Sequence, residues 1–309
     1  MKKEEFMKMT EAARIEYFNE LAENARGRKE KNQTAEKMAI INKKLEEHER
    51  LTIEEFETLT GIRFHHDMSG KMFGILAIGS NCLMNPICIE RMKDGNSICS
   101  ECYAAALEMY RKGLAENTSY NFKVLTSVLI PEECIPVIDA DELRVEPYGD
   151  TANEIQAANY IQFAMVNNNI AVTAWTKNVS HYKKALKLLG MKRKPDNFTL
   201  IKSSKKKNTE EKILPSEKGL VDKTFSVFTL EWLKAHNLDS NFINCGGRNC
   251  KACQRCYKKA KQSEIHIHEL LKSDTKKAEK SGFEWTDNQA VKKETSVNNE
   301  TATRYANMF

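Results

Sequence analysis

Eight of the nine cysteines in this 309-residue chain fall in two tight groups, Cys82, Cys88, Cys99, Cys102 and Cys245, Cys250, Cys253, Cys256. Each group can supply four thiolates. In the second, Cys245-Gly-Gly-Arg-Asn-Cys250-Lys-Ala-Cys253-Gln-Arg-Cys256 sets three cysteines in a run with two residues between neighbours. Thiols spaced so closely cannot easily pair with each other as disulfides, but they converge readily on one metal centre. The chain therefore has to fold around bound groups as well as around an apolar core.

Disulfides are not expected, because a chain of this length buries a core without covalent staples. The N-terminus Met1-Lys-Lys-Glu-Glu-Phe6 is charged and lacks the apolar stretch and small-residue cleavage site of a secretory signal. No apolar run approaches membrane-spanning length. These features predict a soluble, cytoplasmic protein with reduced thiols and no membrane partner. At 41% hydrophobic and 29% charged residues the composition is that of a globular chain of one large domain or two small ones. The net charge of +5 is modest. Lysines and arginines bunch at Lys202, Lys205, Lys206, Lys207 and at Lys251, Arg255, Lys258, Lys259, Lys261. Such runs are usually solvated faces, with nucleic-acid contact as the alternative.

Residues 1–69 read as a helical N-terminal segment, with apolar residues such as Phe6, Ala13, Tyr17, Leu21, Ile40, Ile41 and Leu45 at helical spacing. Residues 70–230 read as an α/β core that carries the first cysteine group. Lys71–Gly79 gives a strand running into Ser80-Asn81-Cys82, and Tyr103–Arg111 a helix at whose entrance the backbone dipole favours thiolate on Cys99 and Cys102. Leu143–Tyr148, Ile170–Trp175 and Asn197–Ile201 read as strands. Between them lie two helices, the first opened by a Thr151/Glu154 capping box and the second ended by Gly190. Strands alternating with helices predict a parallel sheet with right-handed crossovers, here a partial parallel (β/α) barrel. Asp150, Thr176, Lys177, Asn178, Ser203 and Ser204 would then share the edge past the strand ends, and Arg144 and Glu146 would share one strand face. Residues 231–271 form the cysteine-rich cluster-binding segment, and 272–309 a flexible polar tail.

Zinc and iron–sulfur clusters both accept four thiolates. Cys99-x2-Cys102 with Cys82-x5-Cys88 suits either. The Cys250, Cys253, Cys256 run lies close to a bacterial ferredoxin arrangement, with Cys245 before the run instead of a cysteine after it, and this favours a four-iron–four-sulfur (4Fe-4S) cluster over zinc. Gly246 and Gly247 would let backbone amides approach the cluster. Cys134 reads as a small hydrophobe.

The segments Cys82-Leu-Met-Asn-Pro-Ile-Cys88, Ser97-Ile-Cys99-Ser-Glu-Cys102-Tyr103-Ala104, Arg144 with Gly149-Asp150, Ala174-Trp175-Thr176-Lys177-Asn178 and the terminal cysteine run together resemble the gene product 88 family of phages and mobile elements, over roughly residues 70 to 260. That family is similar to radical S-adenosylmethionine enzymes, so the resemblance implies iron–sulfur chemistry, a small-molecule substrate and a reductant protein. It implies Cys88, Cys99 and Cys102 as ligands of a cluster with an open iron, Gly149 and Asp150 near the methionine amine, and Lys177 on a cofactor or substrate carboxylate. The second cluster would be auxiliary. The chain departs from the radical-enzyme CxxxCxxC pattern, because ten residues lie between Cys88 and Cys99 and Glu101 occupies the place of an aromatic residue. A fourth ligand at Cys82 would remove the open iron. The rival readings are a nucleic-acid-binding module stabilised by zinc or by closed clusters, and an electron-transfer protein.

Overall fold

The computed structural model describes residues 3–66, 68, 70–238, 240–245, 249–258 and 265–274. In chain order these form helices α1 (Lys3–Lys8), α2 (Glu11–Asn32), α3 (Ala35–Glu46) and α4 (Ile53–Thr60), strands β1 (Phe64–His65) and β2 (Leu76–Ile78), and helices α5 (Pro86–Lys93), α6 (Tyr103–Tyr110) and α7 (Lys112–Ser127). There follow β3 (Glu142–Val145), α8 (Glu154–Val166), β4 (Ala171–Thr176), α9 (Val179–Leu188), β5 (Phe198–Ser203), β6 (Lys223–Phe228), α10 (Leu230–Ala235), α11 (Cys250–Cys253) and β7 (His266–Leu270).

The strands make one seven-stranded sheet in sequential order, antiparallel between β1 and β2 and parallel from β2 through β7. Because side chains alternate across a strand, the register sorts the residues into two faces. Leu76, Ile78, Leu143, Val145, Val172, Ala174, Phe198 and Leu200 pack with α8 and α9 in the main core. Phe56 of α4, Phe64 of β1 and Phe163 of α8 meet edge to face there, with ring centroids 5.8–5.9 Å apart. The opposite face carries the row Ala77, Arg144, Thr173 and the pairs Ser203–Phe225 and Val227–Glu269. The α/β class and the parallel sheet match the expectation from sequence. Among the described residues β1 and β7 are the two ends of the sheet and do not pair with each other.

The N-terminal helices are built into the molecule. Phe18 and Leu21 of α2 pack on the first cysteine group, and Phe56 of α4 enters the main core. Likewise β7, from the cysteine-rich segment, extends the sheet by pairing with β6. Among the described residues no helix is long and apolar enough to cross a membrane. Apart from 272–274, the predicted polar tail lies outside the described residues.

Three local expectations are corrected. The strand read over Leu143–Tyr148 stops at Val145, because Glu146 adopts a left-handed φ of 53° that breaks the ladder. The strand read over Lys71–Gly79 shrinks to Leu76–Ile78, after a 3-10 turn at Gly70–Met72. The cap of α8 is Asn153, whose side chain accepts from Gln156 N at 2.9 Å, while the Thr151 hydroxyl pairs with Tyr182 at 2.9 Å.

Candidate metal centre

The first cysteine group is held by short-range side-chain caps, as its Asn- and Ser-rich loop requires. Asn81 Oδ1 accepts from Leu83 N at 2.8 Å, turning the chain at Cys82. Asn85 accepts from Ile87 N and caps α5, with Pro86 at its first turn, which places Cys88 on that helix. Ser97 Oγ accepts from Cys99 N at 3.1 Å and donates to Lys205 O at 3.1 Å. Cys102 is the N-cap of α6.

The second group is anchored on several strands and the loops before them. Cys245 N donates to His268 O at 2.9 Å. Asn249 caps α11, which carries Cys250 and Cys253, and donates to Phe73 O at 3.1 Å. Gln254 reverses the chain at a φ of 58°. Thr173 Oγ1 donates to Cys256 O at 3.3 Å. The fully buried Lys223 donates to the carbonyls of Arg255 and Lys258 on either side of Cys256 and Tyr257. Gly246, Gly247, Lys259 and Lys261 lie outside the described residues.

One cavity of about 240 Å³ joins the two groups. Cys82, Cys88, Cys99 and Cys102 line it together with Cys245, Cys250 and Cys256; Cys253 is not among its lining residues. Its walls include Arg144, Trp175, Lys177 and Lys71. The Arg144 guanidinium lies 3.6 Å from the centroid of the Trp175 ring, and its Nε is buried with no hydrogen-bond partner. Lys71 pairs with Glu269, and its Nζ stands 3.8 Å from Cys245 Sγ. Burial disfavours charge on Lys177, yet attraction from Cys99, Asp150, Cys88 and Cys102 outweighs it and holds the ammonium charged. Burial pushes the Cys88 and Cys256 thiols upward, and Cys245 to about 11. Left to themselves these sulfurs are neutral thiols, and a bound metal would deprotonate them. Cys102 is lowered by its hydrogen bond with Cys82 and by the Ala104 and Ala105 amides.

The residues predicted past the strand ends do come together, although Asp150 is fully engaged. Its carboxylate accepts from Thr176 Oγ1 at 2.7 Å, Arg91 Nη1 at 2.9 Å, Lys177 N at 3.1 Å and Asn178 Nδ2 at 3.3 Å. It ties loops, and its oxygens have little capacity left for a cofactor amine. Gly149 is required by close approach, since a Cβ there would stand 2.7 Å from Glu146 Oε2 and 3.1 Å from Ser80 O. Ser203 lines the cavity, whereas Ser204 Oγ donates to Lys206 O at 2.7 Å. Cys134 packs against the main core, away from both groups. In the basic stretches Lys202 pairs with Glu211 and Glu217, Lys207 with Glu101, and Lys251 with Asp141.

Sequence reasoning missed Glu108, Lys71, Glu269 and Lys223. Glu108 was legible only as a charge within an otherwise apolar helix, a signal that marks a buried polar partner once the helix is known to be covered. Among the described residues, no set of three or more His, Cys, Asp or Glu side chains is gathered to hold a single metal ion. All nine cysteines are free thiols. No family model matches the chain, and neither curated proteins nor solved structures yield a match.

Proposed function

We propose that the chain is an iron–sulfur protein with a 4Fe-4S cluster at each cysteine group, acting as a radical S-adenosylmethionine type of enzyme on a small molecule held in the cavity. In this reading the sheet is an incomplete (β/α) barrel with the first group past the ends of its strands. The observation that carries the proposal is the shared cavity: thiols from two groups remote in sequence line it together with Arg144 and Lys177. An all-sulfur donor set suits iron–sulfur clusters or zinc. The buried guanidinium with an unpaired Nε fits an anionic occupant.

When bound and reduced, such a cluster supplies the electron that cleaves the sulfonium of S-adenosylmethionine. The chain's own residues exclude water, orient and balance charge. Lys177 offsets the negative charge of Cys88, Cys99 and Cys102. Arg144, braced on Trp175, presents a cation to Cys250 and Cys256 on the cavity wall. Asp150 fixes Lys177 by its backbone and Arg91 by an ion pair, holding the mouth of the cavity in shape. A reducing compartment such as the cytoplasm would keep the thiols available, and a reductant protein would deliver the electron. The lysine stretches give the nucleic-acid alternative little support, because Lys202, Lys207 and Lys251 are already paired with carboxylates.

The test is deoxyadenosine formation from S-adenosylmethionine by anaerobically purified, chemically reduced protein. The wild type is expected to form it, and Cys99→Ala to lose it. Iron-loaded wild type that forms none would favour an electron-transfer protein instead.

A further inference from the structure

Between Glu154 and Asp196 the chain carries no acidic residue, and within residues 183–193 it carries five cations, Lys183, Lys184, Lys187, Lys192 and Arg193. Helix α9 fixes where they emerge. Its residues Val179, Tyr182, Ala185 and Leu186 are buried, so Lys183, Lys184 and Lys187, about one turn apart, come out on the solvent side. Gly190 follows the helix at a φ of 65°, and Lys192 and Arg193 lie just past it. All five cations are exposed. Among the described residues none of them forms an ion pair, whereas the adjacent Lys194 is taken by Asp222 at 2.9 Å. The other basic stretches differ, since Lys202, Lys207 and Lys251 each face a carboxylate.

Five like charges this close repel one another, and the protein offers only Lys187 a compensation, in the last turn of α9 where the helix dipole favours a cation. They also equal the whole net charge of +5, so the rest of the chain is balanced. The counter-charge has to come from outside. A lipid surface takes a helix by its apolar side, but the apolar side of α9 is engaged in the core and leaves only Leu188 exposed. A protein partner calls for aromatic anchors and few lysines, whereas residues 183–193 hold four lysines and no aromatic residue. Ammonium groups on flexible stems suit phosphates met as point charges. Without an aromatic ring among them, they offer no platform on which unstacked bases could lie.

We infer that the exposed side of α9 and the turn after it bind the sugar–phosphate backbone of a double-stranded nucleic acid without reading its sequence. Helix α9 covers the apolar face of the sheet, and the cavity lies on the opposite face. The surface therefore stands independently of the cysteine groups and of the reading given for them. A protein held on a duplex by this surface keeps its chamber open.

The experiment titrates short labelled DNA and RNA duplexes with the protein at several salt concentrations and follows fluorescence anisotropy. It compares the wild type with the triple variant Lys183→Gln, Lys184→Gln, Lys187→Gln and with the double variant Lys192→Gln, Arg193→Gln. A control removes three exposed lysines spread over α1, α2 and α10, by Lys8→Gln, Lys31→Gln and Lys234→Gln. The wild type is expected to bind with log K falling against log salt at a slope of about −4, near 0.9 for each phosphate neutralised. The slope should drop to about −2 in the triple variant and about −3 in the double variant, with affinity at low salt down about tenfold or more in the triple variant. The control should bind as the wild type does. Binding to one duplex and not the other supports the inference and names the duplex. Wild type that binds neither duplex overturns it, and so does wild type that binds only vesicles of phosphatidylserine. Triple and double variants that both bind as the wild type does, or a control that loses as much as the triple variant, overturn it as well.

Discussion

Glu146 concentrates the molecule's polar stress in one residue. It follows β3 at a φ of 53°, is 2% exposed, and accepts from Ser80 Oγ at 2.8 Å, Gln156 Nε2 at 2.6 Å and the Tyr160 hydroxyl. Burial pushes its carboxyl up to about 7 from 4.5, outweighing the hydrogen bonds from Tyr160 and Ser80 that favour the ionised form. A carboxyl raised on folding contributes stability that is fully present below the unfolded value and is lost as pH rises through the folded one. The window is therefore pH 4.5 to 7, and the loss across it is roughly 3 kcal/mol at about 1.4 kcal/mol per unit. Urea midpoints of the wild type should fall from pH 5 to pH 8 relative to Glu146→Gln, which lacks this titration. A wild-type midpoint that rises relative to the variant over that range would mean that the hydrogen bonds, and not burial, dominate.

At the scale of elements, Asp150 is the clasp between the ends of β3 and β4 and helix α5. It is 4% exposed and bonded to Arg91, Thr176, Lys177 and Asn178. Asp150→Ala leaves Arg91 without its buried partner, and losses of about 3–5 kcal/mol are expected for such a break. Thermal melts should show it, with Asp150→Asn falling between the variant and the wild type. A change within 0.5 kcal/mol, roughly that of an ordinary surface site, would show that Arg91 and Asn178 hold each other through their own 2.7 Å hydrogen bond. Elements with strong periodicity were legible in sequence: β4, β5 and α9 lie within a residue or two of where alternation, helical spacing and Gly190 put them. The cap of α8 was misread because Thr151 and Asn153 both suit an N-cap, and the choice fell to Tyr182, thirty-one residues away, which takes the Thr151 hydroxyl. The partners of Glu108, Lys71 and Lys223 were illegible for the same reason, since they are fixed by tertiary packing and not by local spacing.

For the whole molecule, the spacing that sets the cysteines in two groups along the sequence could not show that members of both would line one space. That follows from the sheet. Successive parallel strands leave the apolar face to α8 and α9, and the opposite face, with Arg144, Trp175, Ser203, Phe225 and Glu269, is turned to the cavity. The long connections before β3 and before β7 then bring cysteines of both groups to the wall of that cavity. The central claim is that this shared chamber exists to hold iron and sulfide. Its most direct test is the iron, zinc and acid-labile sulfide content of protein purified without oxygen, read alongside its visible absorption. The account predicts about eight irons and eight sulfides per chain with little zinc; zinc without sulfide would contradict it.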